Sequence, residues 1–528
     1  MSTTPKPTSK QKKSRRRGRA EPRDTTQKVT AFHVDTPAPR PGFGFLDEAG
    51  LARMRAKAID LLADYGVVVV HRDAHAALML AGGEPNGGDR LKLPRELIEE
   101  ALAQTPKSAT LCGKTPARDA ALPRGDSGFV MRTGTGAHGF VDPDTSVYRN
   151  MDLSDVPTIA AVANQLDEVA FIAHPFVYGV HELTSDIHGF ASMISRTDKH
   201  CWIQPYNKEN VEYLLRLAAV AAGGEDALRA RPIASCIACS FSPLEFKVMD
   251  VEAIIQCGRY GLPIHACALP SAGGTAPISV AGLVLMGAAE IVAMVTMAHV
   301  LAPGTPVIAT PLMFTLDMRT GSALQSCVES QQAAGMAVQL MKQGFGLITH
   351  TYGVGSDTPD VDAQSMTERA MLGQTIALAG ADILGGVGQL ECATVFSPVQ
   401  AVLDNEVGAM LRRYIRAPEL DDEALNWIEM SKIRVGGHFL DSSHTLAHCR
   451  RQFIPEAFLR EDRDGYEASG RRTAVDQARE MCMEFIGRPP PDGLPGEDAL
   501  AEMTRIVADA DRHIIGKAQA HTGAVEEI

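Results

Sequence analysis

Polar and aromatic residues follow short apolar stretches at several points between residues 170 and 395. Imidazole, amide, aromatic and carboxylate groups can bind a ligand or move protons when they gather in one cleft. The members of this set are His174, Phe176, Tyr178, Gln204, Tyr206, Ser240, Ser242, Thr310, Phe314, His350, Tyr352, Asp357, Gln389 and Glu391. Such residues also cap helices and brace loops, so the elements that position them decide between the two interpretations.

The apolar stretches alternate with longer amphipathic segments from about residue 165. Seven candidate strands are Val169–Ala173, Cys201–Gln204, Ile233–Ala238, Pro263–Ala268, Pro306–Thr310, Gly346–Thr351 and Ala381–Gly386. Alternation of strands with helical segments is typical of parallel strands joined by crossover helices. With an eighth strand near 430–440, the pattern predicts an α/β fold, a TIM-type (β/α)8 barrel, with a doubly wound sheet as the alternative. The polar residues listed above would then share the C-terminal face of the barrel.

Composition divides the chain into four predicted regions. Residues 1–40 contain eleven basic and three acidic residues and almost no apolar ones, which predicts a disordered basic tail. A small α+β cap is expected over 41–150, the barrel over 151–470 and a helical extension over 471–528. The whole chain has a formal charge of −13, so we expect no nucleic-acid partner in spite of the tail.

The longest apolar stretch, Ile278 to Ala302, is long enough to span a bilayer. It contains Glu290 and His299 and is flanked by prolines, which favours a helix buried in the protein over a membrane span. We find no pattern of a secretory signal, and the ten cysteines are scattered through a long chain. The sequence therefore predicts a cytoplasmic protein without a membrane partner.

Common metal and nucleotide motifs are absent from the sequence. It has no HExxH pair, no P-loop and no GxGxxG between a strand and a helix. Cys236 and Cys239 match CxxC, but on a strand these positions face opposite sides and cannot grip one metal ion together. His444 and His448 have no third ligand nearby. No metal site is predicted.

Several segments resemble the trimethylamine methyltransferase family, especially its members without pyrrolysine such as the glycine betaine:corrinoid methyltransferases. The most specific segment is Pro270-Ser-Ala-Gly-Gly-Thr-Ala-Pro-Ile-Ser-Val-Ala-Gly282. Others are Ser242-Pro243-Leu244, Gly261-Leu262-Pro263, Pro303 to Val307, Asp317 to Gly321, Asp357 to Gln364, Gly388 to Glu391, Asp404-Asn405-Glu406, and Gly437 to Leu440 with His444-Thr445. Together they cover roughly residues 130 to 470.

The resemblance implies an enzyme that moves a methyl group from a methylated amine or betaine-like compound to the cobalt of a separate corrinoid protein. Cobalamin would be presented by that partner, with no cofactor bound tightly to this chain, and the subunit would form homo-oligomers. A quaternary ammonium leaves as a neutral amine, so the site must hold a cation and exclude water. The residues predicted to bind substrate are Phe176, Tyr178, Trp202, Tyr206, Tyr352 and Gln389. Glu391, Asp357 and His350 are predicted to be catalytic.

Two departures from the family pattern bear on the substrate. The chain has no pyrrolysine, and at the seventh predicted strand the family's His and Trp positions fall on Gly385 and Gln389, while Leu390 and Glu391 match. These differences favour another N-methylated or betaine-like compound. Two alternatives stay open: a barrel enzyme of the same ancestry that acts on a methylated osmolyte without corrinoid, and a ligand-binding homologue without chemistry.

Overall fold

Eight parallel strands close a barrel in consecutive order along the chain. The computed structural model describes residues 44–125, 128–415 and 421–519, so the predicted tail at 1–40 lies outside the described residues. The barrel strands are β1 Val130–Thr133, β2 Val169–Ala173, β3 His200–Ile203, β4 Ala234–Cys239, β5 Ile264–Ala268, β6 Val307–Pro311, β7 Ile348–Tyr352 and β8 Ile383–Val387. The barrel prediction is confirmed, and the open-sheet alternative is not what the chain forms.

The eighth strand of the barrel differs from the prediction. It is β1, which pairs with β8 and β2 and lies before residue 150, in the range predicted as the cap. The prediction near 430–440 was wrong, since that range holds part of the helical turn Trp427–Met430 and then irregular chain. β1 has only four residues, and the charged Arg132 interrupts its apolar pattern, so periodicity alone does not indicate a buried strand.

A helix follows each barrel strand and completes the (β/α)8 pattern. These helices are Val156–Gln165, Ser185–Ile194, Lys208–Ala222, Val248–Tyr260, Val280–Leu301, Val328–Gln339, Ala363–Ala379 and Pro398–Tyr414. Val280–Leu301 is long and apolar enough to cross a membrane, but 72% of its most apolar window is buried inside the protein. Its Glu290 accepts hydrogen bonds from Ser240 Oγ (2.7 Å), Ser242 Oγ (2.8 Å) and Leu244 N (2.9 Å). The predicted burial of this helix is confirmed.

An α+β region precedes the barrel. It contains the helices Glu48–Asp64, Arg72–Leu80 and Arg95–Gln104 and the strands Val67–Val69, Glu84–Pro85, Arg90–Lys92, Ala109–Leu111 and Ala120–Leu122. The last two strands form a hairpin whose apolar side chains pack in one cluster with inward-facing barrel residues such as Phe171 and Ile308. The Cys112 N–H donates to the Pro232 carbonyl just before β4, so the hairpin covers the end of the barrel where the strands begin.

Short strands and further helices complete the molecule. The loops that follow the barrel strands carry Gly139–Val141, Tyr148–Asn150, Glu245–Phe246, Ser271–Ala272, Phe314–Leu316, Ala323–Leu324, Gln389–Leu390 and Val395–Phe396. After the barrel come the helices Asp422–Leu425, Trp427–Met430, Ser443–His448, Arg463–Ala468, Ala474–Ile486 and Glu497–Ala510. Ala474–Ile486 and Glu497–Ala510 pack on the outer helices of the barrel.

Candidate active site

A guanidinium group lies in the middle of the barrel. The inward-facing Arg132 of β1 is fully buried, and its Nε donates to His350 Nε2 (2.8 Å) while Nη1 donates to the Thr133 carbonyl (2.7 Å). Its Cζ lies 4.0 Å from the Trp202 ring centroid and 5.4 Å from that of Tyr352. Burial lowers the pKa of Arg132 to about 10, which leaves the group charged at neutral pH. The interior of this barrel is therefore cationic, whereas branched apolar side chains fill most such barrels.

Arg132 has no acidic partner in the described part of the chain. Among the described residues no carboxylate forms a salt bridge with it, and its buried Nη2 makes no hydrogen bond. Stacking on Trp202 stabilises the cation, but it does not replace a counter-charge. An unpaired buried charge is costly, so the guanidinium is suited to an anionic group that a ligand would supply.

The ring of His350 holds Arg132 in place. Its Nε2 accepts from the guanidinium, so Nδ1 carries the ring proton and lies 3.4 Å from Thr310 Oγ1. The Thr310 hydroxyl in turn donates to the Ile308 carbonyl. Burial, with the charge of Arg132, holds the pKa of His350 well below its usual range. The predicted catalytic His350 is a neutral acceptor inside the barrel.

A second chain of hydrogen bonds runs from the closed end of the barrel to its centre. His200 Nδ1 lies 3.0 Å from the carbonyl oxygen of Cys112, which can only accept, so the other nitrogen accepts from Ser235 Oγ (2.9 Å). The same hydroxyl then accepts from His265 Nε2 at 3.0 Å. This assignment leaves His265 Nδ1 as a buried acceptor without a hydrogen bond, next to Trp202, whose ring stacks on His265 at 4.7 Å.

Two glycines make room for this arrangement. A Cβ atom at Gly385 of β8 would lie 2.9 Å from His350 Nε2 and 3.0 Å from the Arg132 guanidinium. A Cβ atom at Gly134 would lie 1.9 Å from the side chain of Gln389. Gly385 stands where the family pattern has His, and the volume that a side chain would occupy there is taken by Arg132.

At the mouth of the barrel, two loops place aromatic rings side by side. Phe176, after β2, and Tyr206, after β3, stack with their centroids 4.4 Å apart and their planes 10° from parallel. Both are partly buried, and the Tyr206 hydroxyl has no hydrogen-bond partner among the described residues. Asp186 fixes this loop by accepting the Tyr206 N–H at 2.9 Å. The pair offers an apolar, electron-rich surface of the kind that binds organic cations.

Amide groups connect the rings to the barrel interior. Thr135 Oγ1 donates to Gln204 Oε1, and Gln389 Nε2 donates to the Thr135 carbonyl at 2.5 Å. Gln389 Oε1 is buried without a partner. Tyr352 is also buried, with Phe314 edge-on at 6.3 Å, and burial raises the pKa of its phenol while the charge of Arg132 opposes this. Hydrogen bonds and ring contacts thus link side chains at the mouth with those around Arg132.

Two of the predicted aromatic residues lie elsewhere. Trp202 is fully buried at the level of Arg132, and Arg132 and His265 cover its ring, so it presents no open face at the mouth. Tyr178 is 49% exposed and lies on the outer rim, where its backbone N–H donates to the Met151 carbonyl. The structure brings Phe176, Tyr206, Tyr352 and Gln389 together and leaves Tyr178 outside them.

The two predicted carboxylates have different surroundings. Asp357 accepts the backbone N–H groups of Gln325 and Ser326, each at 2.9 Å, so both of its oxygens are engaged with one loop. Glu391 is exposed and shows no hydrogen bond or ion pair from its carboxylate among the described residues. It begins a turn of three left-handed residues, with φ of 47°, 50° and 72°. In the described ranges, no three His, Cys, Asp or Glu side chains gather as metal ligands would.

A buried ion pair fixes the loops behind Gln389. Arg369 and Asp404 are both fully buried and lie 3.0 Å apart. Arg369 donates to the carbonyls of Val354 and Gln389, while Asp404 accepts the Gly388 N–H at 2.7 Å. Burial raises the pKa of Asp404 to about 6 and lowers that of Arg369. The pair therefore ties the loop after β7 to the loop after β8.

Sequence reasoning missed Arg132, Thr135 and His265. The first two lie in the range that was assigned to the cap, so their strand-end context went unrecognised. The available signal was the stretch Phe129 to Gly136, in which one charged residue interrupts an apolar run that ends in glycine. A charged residue in a buried strand is rare without a function.

A separate cavity of about 890 Å³ lies outside the barrel, beside the C-terminal helices. Its lining includes Leu153, Pro157, Phe485, Leu500 and Met503. None of its lining residues belongs to the aromatic pair at the mouth or to the group around Arg132.

The fold and the mouth define a (β/α)8 barrel protein with a stacked aromatic pair at its mouth and a buried arginine inside. A sequence model described as Trimethylamine methyltransferase (MTTB) matches residues 9–506, and the chain belongs to this family.

Named relatives agree with this membership, and one solved structure has a similar fold. The trimethylamine methyltransferase MttB of Desulfitobacterium hafniense is 27% identical over 471 residues, which cover 89% of this chain and 94% of the relative. A glycine betaine methyltransferase of the same species is 26% identical over 432 residues, or 81% of this chain and 88% of the relative. A crystal structure of the hydroxylamine MtmB complex shares the fold, with a TM-score of 0.50 at 13% identity, over 84% of this chain and 88% of that one.

Proposed function

We propose that this chain transfers a methyl group from an N-methylated substrate to the cobalt of a cognate corrinoid protein. Membership of the methyltransferase family supports the reaction class. The observation that carries the proposal is the stacked Phe176–Tyr206 pair at the mouth, connected through Gln204, Thr135 and Gln389 to the barrel interior. The chain is expected to act in the cytoplasm.

Demethylation of a quaternary ammonium depends on the orientation of the substrate and needs no proton transfer. When a quaternary ammonium is demethylated, the C–N bond breaks and its electron pair stays on nitrogen, so a neutral tertiary amine leaves without a proton. The reduced cobalt of the partner protein would supply the electron pair for the new bond to the methyl group. Phe176, Tyr206 and Tyr352 would hold the cation by their ring faces and exclude water.

The predicted catalytic residues receive distinct roles in this proposal. Glu391 would hold the cationic head at the rim, because its carboxylate is exposed and has no other partner in the part of the chain that the structure describes. Asp357 would act as a positioning residue, since both of its oxygens brace the loop at Gln325 and Ser326. His350 would position Arg132 and would not touch the substrate.

Arg132 favours a substrate that carries a carboxylate besides its methylated nitrogen. Within the described ranges the buried guanidinium has no acidic partner, and its Nη2 makes no hydrogen bond. A betaine-like compound would supply the missing negative charge and would hold its ammonium end towards the aromatic rings. Trimethylamine has no such group. One relative of this chain is a glycine betaine methyltransferase, which agrees with this preference.

A panel of substrates tests both parts of the proposal. The purified chain is mixed with a reduced corrinoid protein and with trimethylamine, tetramethylammonium, glycine betaine or longer trimethylammonium carboxylates, and the cobalt absorbance is followed. We expect methylation by a carboxylated compound. Arg132→Met should lower its kcat/KM by about 30- to 150-fold, the equivalent of about 2–3 kcal/mol for a charged hydrogen bond.

The matched control is Arg53→Met, because Arg53 is exposed on a helix before the barrel. Its kcat/KM should equal that of the wild type. If only trimethylamine reacts and Arg132→Met has no effect, the betaine assignment is wrong. If no compound methylates cobalt but one of them binds, the non-catalytic homologue replaces the methyltransferase. Consumption of substrate without corrinoid would favour a barrel enzyme of the same ancestry that acts on a methylated osmolyte.

A further inference from the structure

The cavity outside the barrel lies between four helices. Val156–Gln165 and Ser185–Ile194, which follow β1 and β2, line it together with the C-terminal helices Ala474–Ile486 and Glu497–Ala510. The segment 488–494 adds three consecutive prolines to the lining. With a volume of about 890 Å³, the cavity has the size of pockets that hold small organic ligands, which measure about 300–1,000 Å³.

Polar contacts hold the helices around the cavity in place. Asp511 accepts a hydrogen bond from Thr184 Oγ1 at 2.6 Å and lies 3.0 Å from His188 Nε2. Arg488 Nη1 donates to Gln165 Oε1 at 2.8 Å. Both sets of contacts join the C-terminal helices to helices of the barrel. The cavity is therefore formed before any ligand enters, which lowers the cost of binding.

The walls of the cavity are mainly apolar. Its large apolar lining residues are Leu153, Pro157, Phe485, Leu500, Met503 and Val507. Such walls offer water few hydrogen bonds, and the transfer of an apolar group from water onto them is favourable. Binding pockets commonly combine walls of this kind with a small number of polar groups that orient the ligand. The site is therefore suited to a ligand with an apolar body.

The cavity differs from the mouth of the barrel in its aromatic content. Among the described residues that line it, Phe485 supplies the only phenyl or indole ring. The Arg488 guanidinium already lies over this ring, with its Cζ 4.8 Å from the centroid. A methylated ammonium group would meet a cation there instead of an open ring face. The cavity is thus not a second site for the cationic substrate.

An arginine at the edge of the cavity has no carboxylate partner among the described residues. Arg196 is exposed, and its Nη1 donates to the Ser192 carbonyl (2.9 Å), to Ser192 Oγ (3.2 Å) and to Ser195 Oγ (3.0 Å). Its Nε and Nη2 make no hydrogen bond within the described ranges. Arg488, in contrast, pairs with Glu484 at 2.7 Å. A planar guanidinium with free donors matches the geometry of a carboxylate, so Arg196 is suited to an anionic group of a ligand.

We propose that this cavity binds an amphipathic organic anion, namely a carboxylate with an aliphatic chain. The chain would lie between the helices against Leu500 and Met503, and the carboxylate would pair with Arg196. Apolar walls favour such a compound over a small hydrophilic anion such as inorganic phosphate. The site is separate from the barrel interior, so the proposal does not depend on methyl transfer.

Calorimetric titration of the full-length protein with octanoate and with octan-1-ol tests the proposal without any assay of activity. The two compounds share one chain and differ in charge. We expect saturable binding of one octanoate per chain, and no binding of inorganic phosphate. Arg196→Met should weaken octanoate binding by about 10-fold and leave the binding of octan-1-ol unchanged. Arg505→Met is the matched control, because Arg505 is exposed on Glu497–Ala510 and does not line the cavity.

A second variant tests the location. Ala508 lines the cavity and is exposed, so Ala508→Trp should obstruct the opening and weaken the binding of both compounds by at least about 10-fold. Ala501→Trp, at an exposed residue of the same helix that does not line the cavity, should bind both as the wild type does. The melting temperatures of all four variants should match that of the wild type, because every substituted residue is exposed.

Three results would overturn the proposal. The first is a wild type that shows no saturable binding of octanoate. The second is unchanged binding by Ala508→Trp, since the compound then binds to exposed apolar side chains elsewhere on the protein. The third is binding of octanoate that does not respond to Arg196→Met, because the cavity would then hold apolar compounds without recognising their charge.

Discussion

Glu391 occupies an unusual place at the rim of the barrel. It is the first of three non-glycine residues in the left-handed region, a conformation that costs on the order of 1 kcal/mol or more per residue. The turn is held by hydrogen bonds from the N–H groups of Glu391 and Cys392 to the carbonyls of Thr358 and Ser356. The fold thus maintains a strained turn beside the mouth, and the carboxylate at its start contacts no partner among the described residues.

A conservative substitution at this residue tests its role. If Glu391 holds the cationic head, Glu391→Gln should reduce methyl transfer by about 30- to 150-fold, since it removes a charge worth about 2–3 kcal/mol while it keeps the shape. The initial rate of cobalt methylation measures this effect. Glu96→Gln, at an exposed residue of the helix Arg95–Gln104, should have no effect. A wild-type rate for Glu391→Gln would leave the carboxylate without a role in substrate binding.

The space at Gly385 is a second test at the scale of single residues. An added methyl group would lie within 3.0 Å of His350 Nε2 and of the Arg132 guanidinium, so one of them must move. Gly385→Ala should lower the free energy of unfolding by about 1–3 kcal/mol, as overpacking does in closed cores. Denaturant unfolding measures this change, and kcat/KM for a carboxylated substrate should fall with it.

Gly516→Ala is the control for this variant, because nothing lies within 4 Å of a Cβ atom there. It should be neutral or slightly stabilising, as alanine is in exposed helices. An equally mild effect of Gly385→Ala would mean that Arg132 and His350 are not held as closely as the structure indicates.

At the scale of elements, the ion pair between Arg369 and Asp404 joins the last two barrel helices. It also joins the loops that follow β7 and β8. Removing one member leaves the other charge buried and unpaired. Arg369→Met should therefore lower the free energy of unfolding by about 3–5 kcal/mol. Calorimetry or denaturant unfolding measures the loss.

The double variant Arg369→Met, Asp404→Leu discriminates the pair from other causes of instability. It removes both charges, so it should recover much of the loss of the single variant, although the Gly388 N–H then lacks its acceptor. Additive destabilisation by the two substitutions would show that the charges do not act as a pair.

At the scale of the whole molecule, four neutral histidines in or beside the barrel link stability to pH. Burial lowers the pKa of His174 and of His200 to about 4, and the pKa values of His265 and His350 lie well below their usual range. In the unfolded chain these groups take up a proton near pH 6.5. The unfolded state then binds more protons than the native state, so stability is lost as the pH falls from about 6.5 towards 4.

We expect the free energy of unfolding to fall by about 1.4 kcal/mol per pH unit for each such histidine in this window. Unfolding between pH 7.5 and 5.0 measures the slope. His174→Gln should reduce this slope by about one proton. A melting temperature that does not depend on pH in this range would contradict the neutral assignment.

Much of the architecture follows from local sequence patterns. The alternation of apolar strands and amphipathic helices predicted the barrel, and the charges within Ile278 to Ala302 predicted a buried helix. The parallel direction of the strands placed Phe176, Tyr206, Tyr352 and Gln389 at one end of the barrel. Apolar residues recur every second position in a strand and every 3.6 positions in a helix, so their spacing shows which face is buried. Such spacing can be read from residues that are close together in the chain.

Tertiary structure alone decided which residues meet. Barrel closure by β1 brings Arg132 against His350, 218 residues further along, and no local pattern contains that pairing. Closure also buries Trp202 beneath Arg132 and leaves Tyr178 outside, although both were predicted from the same strand-end rule. The contacts of a side chain depend on strand register, on closure of the barrel and on the volumes of neighbouring side chains, and the whole fold sets all three. Sequence periodicity reports only the direction in which a side chain leaves its strand.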